Sequence, residues 1–189
     1  MDTAYCYSGT EVLRNRLIIR SAKKLSIAER KLTMLRIADL LRRPVVGRFD
    51  LKHLCRIHEY IFQDIYSWAG QIRTVEIAKG TYFCKTEYIT GMLNNLFNEL
   101  REEMFLKELH GSKLVCRLAY YMSEINAIHP FREGNGRAQR EFIRELALQN
   151  DVIIHYESVT AEQMINASIE SFNGNYGPME DLLKNCIAY

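Results

Sequence analysis

Along the chain, apolar positions recur at helical spacing in long runs separated by short polar breaks. Ser26, with Glu29 three residues on, has the form of a capping box. Ile27, Leu32, Leu35, Ile37, Ala38 and Leu41 follow as a broad apolar face, which Pro44 and Gly47 end. Asp50 is placed to cap a second helix, in which Leu51, Leu54, Ile57, Ile61 and Ile65 recur until Ser67-Trp68-Ala69-Gly70. Helical periodicity returns over residues 86–109 and 112–128, and after a loop at 129–135 it continues to about 149. Two further helices are predicted at about 160–172 and 177–187, with Asn173-Gly174-Asn175 as the turn between them. One stretch breaks the rhythm. Val75, Ile77, Tyr82 and Phe83 are β-formers on either side of the turn-prone Ala78-Lys79-Gly80-Thr81, which predicts a small hairpin. There is no repeat or Gly/Ser/Pro linker, and the three prolines (Pro44, Pro130 and Pro178) leave room for long helices. The expectation is one all-α domain over residues 1–189, a helical bundle bearing one β-hairpin.

Composition narrows the function classes. With 189 residues, 48% of them apolar and 25% charged, the chain suits a soluble domain with a single core. A formal net charge of +2 gives no field that argues for nucleic acid, and Arg42, Arg43 and Arg48 read as a solvated helix end. No stretch approaches the roughly 20 apolar residues of a membrane span, and residues 1–9 are too polar for a signal peptide. Cys6, Cys55, Cys84, Cys116 and Cys186 are scattered, odd in number and without a CxxC pair. That usage argues against a disulfide framework or zinc site and for a reducing cytosol. The five histidines lack metal-ligand spacing; His58 reads as a core or interface residue, and Tyr60, Phe62, Tyr66 and Trp68 as packing.

Chemistry concentrates in His129-Pro130-Phe131-Arg132-Glu133-Gly134-Asn135-Gly136-Arg137-Ala138-Gln139-Arg140, which joins one apolar helix to the next. A turn at a helix N-terminus presents unpaired amides beside the positive end of the dipole, a ready place for phosphate. Gly134 and Gly136 allow close approach of a ligand to the backbone. Arg137 and Arg140 lie three apart, on one face of the first turn, where both are expected to reach a polyphosphate. Glu133 offers the hard carboxylate oxygen that Mg²⁺ prefers when it bridges phosphates. His129 suits a base that deprotonates an incoming hydroxyl. Nucleotide phosphate, Mg²⁺ and a base are thus suggested together, without saying which phosphate is transferred.

This segment resembles the Fic motif, H-P-F-x-D/E-G-N-G-R-x-x-R, and matches it at every specified position. Tyr7-Ser8-Gly9-Thr10, Val12-Leu13-Arg14-Asn15-Arg16-Leu17 and Trp68-Ala69-Gly70-Gln71-Ile72-Arg73-Thr74-Val75 extend the resemblance to Fic proteins of bacterial toxins and secreted effectors. The resemblance implies a Fic-type helical bundle with a hairpin flap, moving AMP from ATP to a target protein's hydroxyl and releasing pyrophosphate. Carried onto this chain, His129 is the base, Phe131 anchors the loop and Glu133 holds Mg²⁺. Asn135 with the Gly134 and Gly136 backbone holds the phosphate under attack, Arg137 the β-phosphate and Arg140 the γ-phosphate. Residues 75–83 correspond to the flap that aligns the target segment by strand-like pairing, with Lys79 and Gly80 approaching the nucleotide.

Two alternatives stand beside this. The related Doc toxins, which transfer a phosphoryl group, carry Lys where this chain has Gly136 and lack the second arginine. A catalytically silent binding module would have no need of His129, Glu133, Asn135 and Arg137 together. Fic enzymes are commonly inhibited by a helix bearing S/T-x-x-x-E-G/N, whose glutamate pairs with the second motif arginine, here Arg140. The nearest approach in this chain is Ser158 to Glu162, but Gln163 follows. A separate antitoxin-like protein supplying that glutamate is therefore expected. The place of action is expected to be a bacterial cytoplasm, or the cytosol of a cell into which the protein is delivered.

Overall fold

The structure, a computed structural model, describes residues 4–188. Helix α1 spans Ala22–Arg42, and its cap is Ser21, whose hydroxyl accepts the Lys24 amide at 3.4 Å. The capping box expected at Ser26 and Glu29 is not formed. Nothing between Ser21 and Ser26 breaks a helix, so the helix begins earlier and Glu29 is free for a tertiary contact. Helix α2, Leu51–Phe62, starts where Asp50 accepts the His53 amide at 2.8 Å, and Ile65 lies beyond its end.

The hairpin is present and short: β1, Ala78–Lys79, pairs antiparallel with β2, Thr81–Tyr82, around Gly80 at φ 78°. Helix α3, Thr86–Glu102, stops seven residues before the predicted end. There the chain turns through Met104, Phe105 and Leu106, all at positive φ, burying Leu106 completely. Burial of Leu106 takes the place of a continuing helix, which spacing alone does not distinguish. Helices α4, Gly111–Ile128, and α5, Asn135–Leu148, follow. Helix α6, Ala161–Phe172, has a capping box of Thr160 and Gln163, and α7, Gly177–Cys186, carries Pro178 in its first turn. Sequence periodicity did not show a pair of two-residue strands, β3 (Ile153–Ile154) antiparallel to β4 (Ile187–Ala188).

Helix α4 packs against α5, α6 and α7, while α2 lies on α5 and α1 on α2. Their shared core includes Leu118, Tyr121 and Met122 of α4 and Ala138, Phe142, Ile143 and Leu146 of α5, all fully buried. The loop between α4 and α5 is therefore anchored in the core at both ends. No helix of the described residues is long and apolar enough to cross a membrane.

Candidate active site

The α4–α5 loop is shaped by its own residues and two buried neighbours. Helix α4 ends on His129, whose amide donates to the Ile125 carbonyl at 3.0 Å while its backbone adopts φ 52°. Phe131 is buried and stacks on His58 with centroids 3.8 Å apart. Asn135 closes the turn from within: its Oδ1 accepts the Phe131 amide, and its Nδ2 donates to the Phe131 carbonyl, each at 2.7 Å. Gly134 has φ 83°, and a Cβ there would overlap the Phe62 ring, so both backbone and space require glycine. Arg73, buried, donates from Nε to the His129 carbonyl and from Nη1 to the Val75 carbonyl, each at 2.8 Å, and from Nη2 to the Cys84 carbonyl. One guanidinium thus ties the base of the flap to the loop.

His129 is set up as an acceptor. Its Nδ1 lies 3.1 Å from the Asn126 carbonyl, which can only accept, so Nδ1 carries the proton and Nε2 is left with its lone pair. Phe83 stacks on the imidazole at 3.8 Å and 13°. Burial pushes the His129 pKa down to about 4, against the raising effect of the Asn126 carbonyl and with smaller help from the Lys79 and Arg73 charges. The ring is neutral at neutral pH.

Two cavities meet at this histidine. The larger, about 580 Å³, is lined by His129, Lys79, Gly80, Gly136 and Arg140, and has an apolar wall from α6 that includes Ile165, Ile169 and Phe172. The smaller, about 240 Å³, is lined by His129, Lys79, Glu133, Gly134, Asn135 and Gly136. Arg140 is half-buried and makes no hydrogen bond or ion pair among the described residues. Burial lowers its pKa, the mark of a cation whose counter-charge is not supplied by the protein. A cavity holding an uncompensated guanidinium, a neutral imidazole and the start of a helix is suited to an anionic ligand.

Residues 48–147 match the Fic/DOC family. Over 185 residues the chain is 40% identical to the probable protein adenylyltransferase Fic of Salmonella typhimurium, covering 97% of this chain and 92% of that one. The chain belongs to the Fic/DOC family. Among solved structures it resembles the N-terminal Fic domain of a VirB-translocated Bep effector from Bartonella quintana with bound ADP, with a TM-score of 0.92 at 27% identity, covering 97% of this chain and 94% of that one. It is also similar to BepC of Bartonella tribocorum with bound AMPPNP, with a TM-score of 0.90 at 26% identity, covering 97% and 96%.

Within this Fic domain the structure brings His129, Lys79, Gly80, Gly136 and Arg140 to the larger cavity and Glu133, Gly134 and Asn135 to the smaller. Two of the expected phosphate contacts are engaged elsewhere in the protein. Arg137 lines neither cavity and turns to α1. There its Nη2 meets Glu29 Oε1 at 2.5 Å and its Nη1 donates to Thr33 Oγ1 at 3.1 Å, with Phe62 4.6 Å beneath the guanidinium. Side chains three apart share a helix face but are long enough to diverge, and a largely buried carboxylate on α1, itself held by the Tyr66 hydroxyl, captures one of them. The Asn135 amide, expected on phosphate, is spent on Phe131 and acts in building the loop. Arg140 does not pair with Glu145, further along α5, since Glu145 is engaged with His53 at 3.0 Å and with the Val45 amide.

No group of three or more His, Cys, Asp or Glu side chains among the described residues is arranged to hold a metal ion alone. Glu133 fits a different role. Its side chain is 39% exposed; Oε1 accepts the Gly134 amide at 2.8 Å and lies 3.5 Å from Arg137. A single accessible carboxylate lining the smaller cavity suits Mg²⁺, which is commonly held by one or two carboxylates together with substrate phosphates. Sequence reading missed Arg73 as a tie and Phe83 as the cover on His129. It also missed Gln139, buried with Oε1 unpartnered against the larger cavity. The imidazole's orientation carried no sequence signal, because the group that fixes it is the backbone carbonyl of residue 126, which any residue type supplies.

Proposed function

We propose that this Fic protein is a protein adenylyltransferase that moves AMP from ATP to a hydroxyl side chain of a target protein. The observation that carries the reading is that Nε2 of a neutral His129 and the uncompensated guanidinium of Arg140 face one cavity. Relatives named adenylyltransferases, and the ADP- and AMPPNP-bound effector domains, support it.

The target hydroxyl oxygen attacks the α-phosphorus while its proton passes to Nε2 of His129, and the bond to pyrophosphate breaks in line. Arg140 takes the negative charge at the terminal phosphate, and the amides opening α5 receive the phosphate under attack. Mg²⁺, when bound by Glu133 and the nucleotide, neutralises phosphate charge. Lys79 approaches the nucleotide from the flap, and the exposed hairpin edge accepts the target segment as an added strand. Arg137, as placed, steadies Glu133 and fastens the loop to α1 rather than gripping phosphate. The reading places the reaction in a cytosol, the producing bacterium's own or that of a cell into which it is delivered. Regulation by a separate antitoxin-like protein fits the same geometry: the in-chain glutamate Glu29 pairs with Arg137, leaving Arg140 open to a partner's carboxylate.

The test is labelled ATP added to the purified chain and a lysate, with wild type set against His129→Ala. The variant is expected to bind ATP normally and to lose about 10²–10⁴ in transfer rate. Transfer at the wild-type rate would refute the assignment.

A further inference from the structure

His58 lies on α2, outside the motif and completely buried, yet it touches the motif loop in two ways. Its ring stacks on Phe131 at 3.8 Å and on Phe62 at 4.6 Å, the same Phe62 whose ring excludes a side chain at Gly134. Its Nε2 lies 2.9 Å from the carbonyl of Glu133, and its Nδ1 receives the Gly70 amide at 2.8 Å. A carbonyl only accepts and an amide only donates, so the imidazole is locked as the neutral tautomer with its proton on Nε2. The ring therefore spans two loops, holding the backbone of Glu133 on one side and that of Gly70 on the other. Glu133 has little else to fix its backbone, because the turn around it is closed at Phe131 and Asn135 and its side chain is partly exposed.

We propose that His58 is a positioning residue for Glu133, setting the carboxylate's approach to the metal–nucleotide complex through the Nε2–H bond to the Glu133 carbonyl. This rests on the assignment of Glu133 to Mg²⁺ made above. Groups that orient a metal ligand typically matter by about 10–100-fold in metal affinity. A core histidine serving stability alone would move the unfolding midpoint and nothing else.

Two isosteric variants separate these roles. In His58→Gln the side-chain amide reaches the Nε2 position and keeps a donor for the Glu133 carbonyl, while the acceptor for Gly70 is lost. In His58→Asn the amide reaches the Nδ1 position and keeps the acceptor for Gly70, while the donor to Glu133 is lost. Each loses the stacked ring and one hydrogen bond, so their stabilities should be similar. The readout is calorimetric ATP affinity with and without Mg²⁺. The expected result is that His58→Asn loses about tenfold or more of the Mg²⁺-dependent gain in affinity, whereas His58→Gln stays within about threefold of wild type. Equal losses, or a larger loss in His58→Gln, would overturn the proposal while leaving the Mg²⁺ assignment intact. A wild type indifferent to Mg²⁺ would overturn that assignment and this proposal with it. Should either variant fail to fold, nitrogen-15 NMR of the wild type decides. The His58 Nε2–H resonance should shift with Mg²⁺ and ATP together and not with ATP alone; an unmoved resonance overturns the proposal.

Discussion

Acidifying the assay from pH 7.5 to 5.5 should leave AMP transfer almost unchanged, because His129, the proposed base, is already stripped of its tendency to take a proton from water. His129 is 7% exposed, its face is covered by Phe83, and its Nδ1–H is committed to the Asn126 carbonyl. Burial holds its pKa at about 4 against the ordinary 6.5, which corresponds to about 3 kcal/mol of preference for the neutral ring. An imidazole of ordinary pKa would lose about tenfold of its neutral form across that pH range, whereas this one loses only about 3%. The assay is single-turnover transfer of labelled AMP, paired with a carbon-13 NMR titration of His129 Cε1 in the free enzyme. The titration separates the histidine from ionisation of ATP itself. Phe83→Ala removes the covering ring and admits water, so the pKa should climb towards 6.5 and the acid limb of the rate should move to higher pH with it. A wild-type His129 that titrates near 6.5, or a Phe83→Ala variant that leaves it at about 4, refutes the reasoning.

Arg140→Ala should weaken ATP by about 10–150-fold in calorimetry, the loss of a charge-assisted hydrogen bond worth about 1.5–3 kcal/mol. Since Arg140 has no protein partner among the described residues, the Tm of the free chain should hold or rise, and a Tm that falls by several degrees would contradict that. Gly134→Ala forces a side chain into the left-handed region and onto the Phe62 ring. At least about 2 kcal/mol should be lost in urea unfolding, together with activity, and wild-type stability in this variant would show the loop to be less constrained than described. Acid should also weaken the fold itself. His58 and His129 both have pKa values held near 4 by burial, so the unfolded chain takes up protons below about 6.5 that the folded chain refuses until about 4. Stability present above pH 6.5 is then lost as the pH falls towards 4, by up to about 3 kcal/mol for each ring, and levels off below. Urea midpoints at pH 7 and 4.5 check it, and equal midpoints would count against both burials.

Local rules in the sequence determined the helices whose ends carry strong signals. Asp50 capped α2, Thr160 and Gln163 capped α6, and the break between α4 and α5 fell at the motif. The hairpin around Gly80 was legible because turn chemistry and β-formers agreed within a few residues. The motif's residues also stay together, since residues adjacent in sequence around one tight loop have little freedom to separate; His129, Gly136 and Arg140 line one cavity. Tertiary structure decided whatever depended on partners distant in sequence. Arg137 was drawn away by Glu29, 108 residues earlier, because a largely buried carboxylate and an aromatic face offered its charge more than open cavity did. The Asn135 amide went to Phe131, where a buried backbone amide and carbonyl needed partners. The early stop of α3 and the β3–β4 pair arose because burial of Leu106 and pairing with the chain's last described residues outweighed local periodicity. His58 looked like any apolar-face histidine until the fold set Phe131, Glu133 and Gly70 around its ring, for the direction in which an imidazole's two nitrogens are satisfied is a property of its neighbours in space.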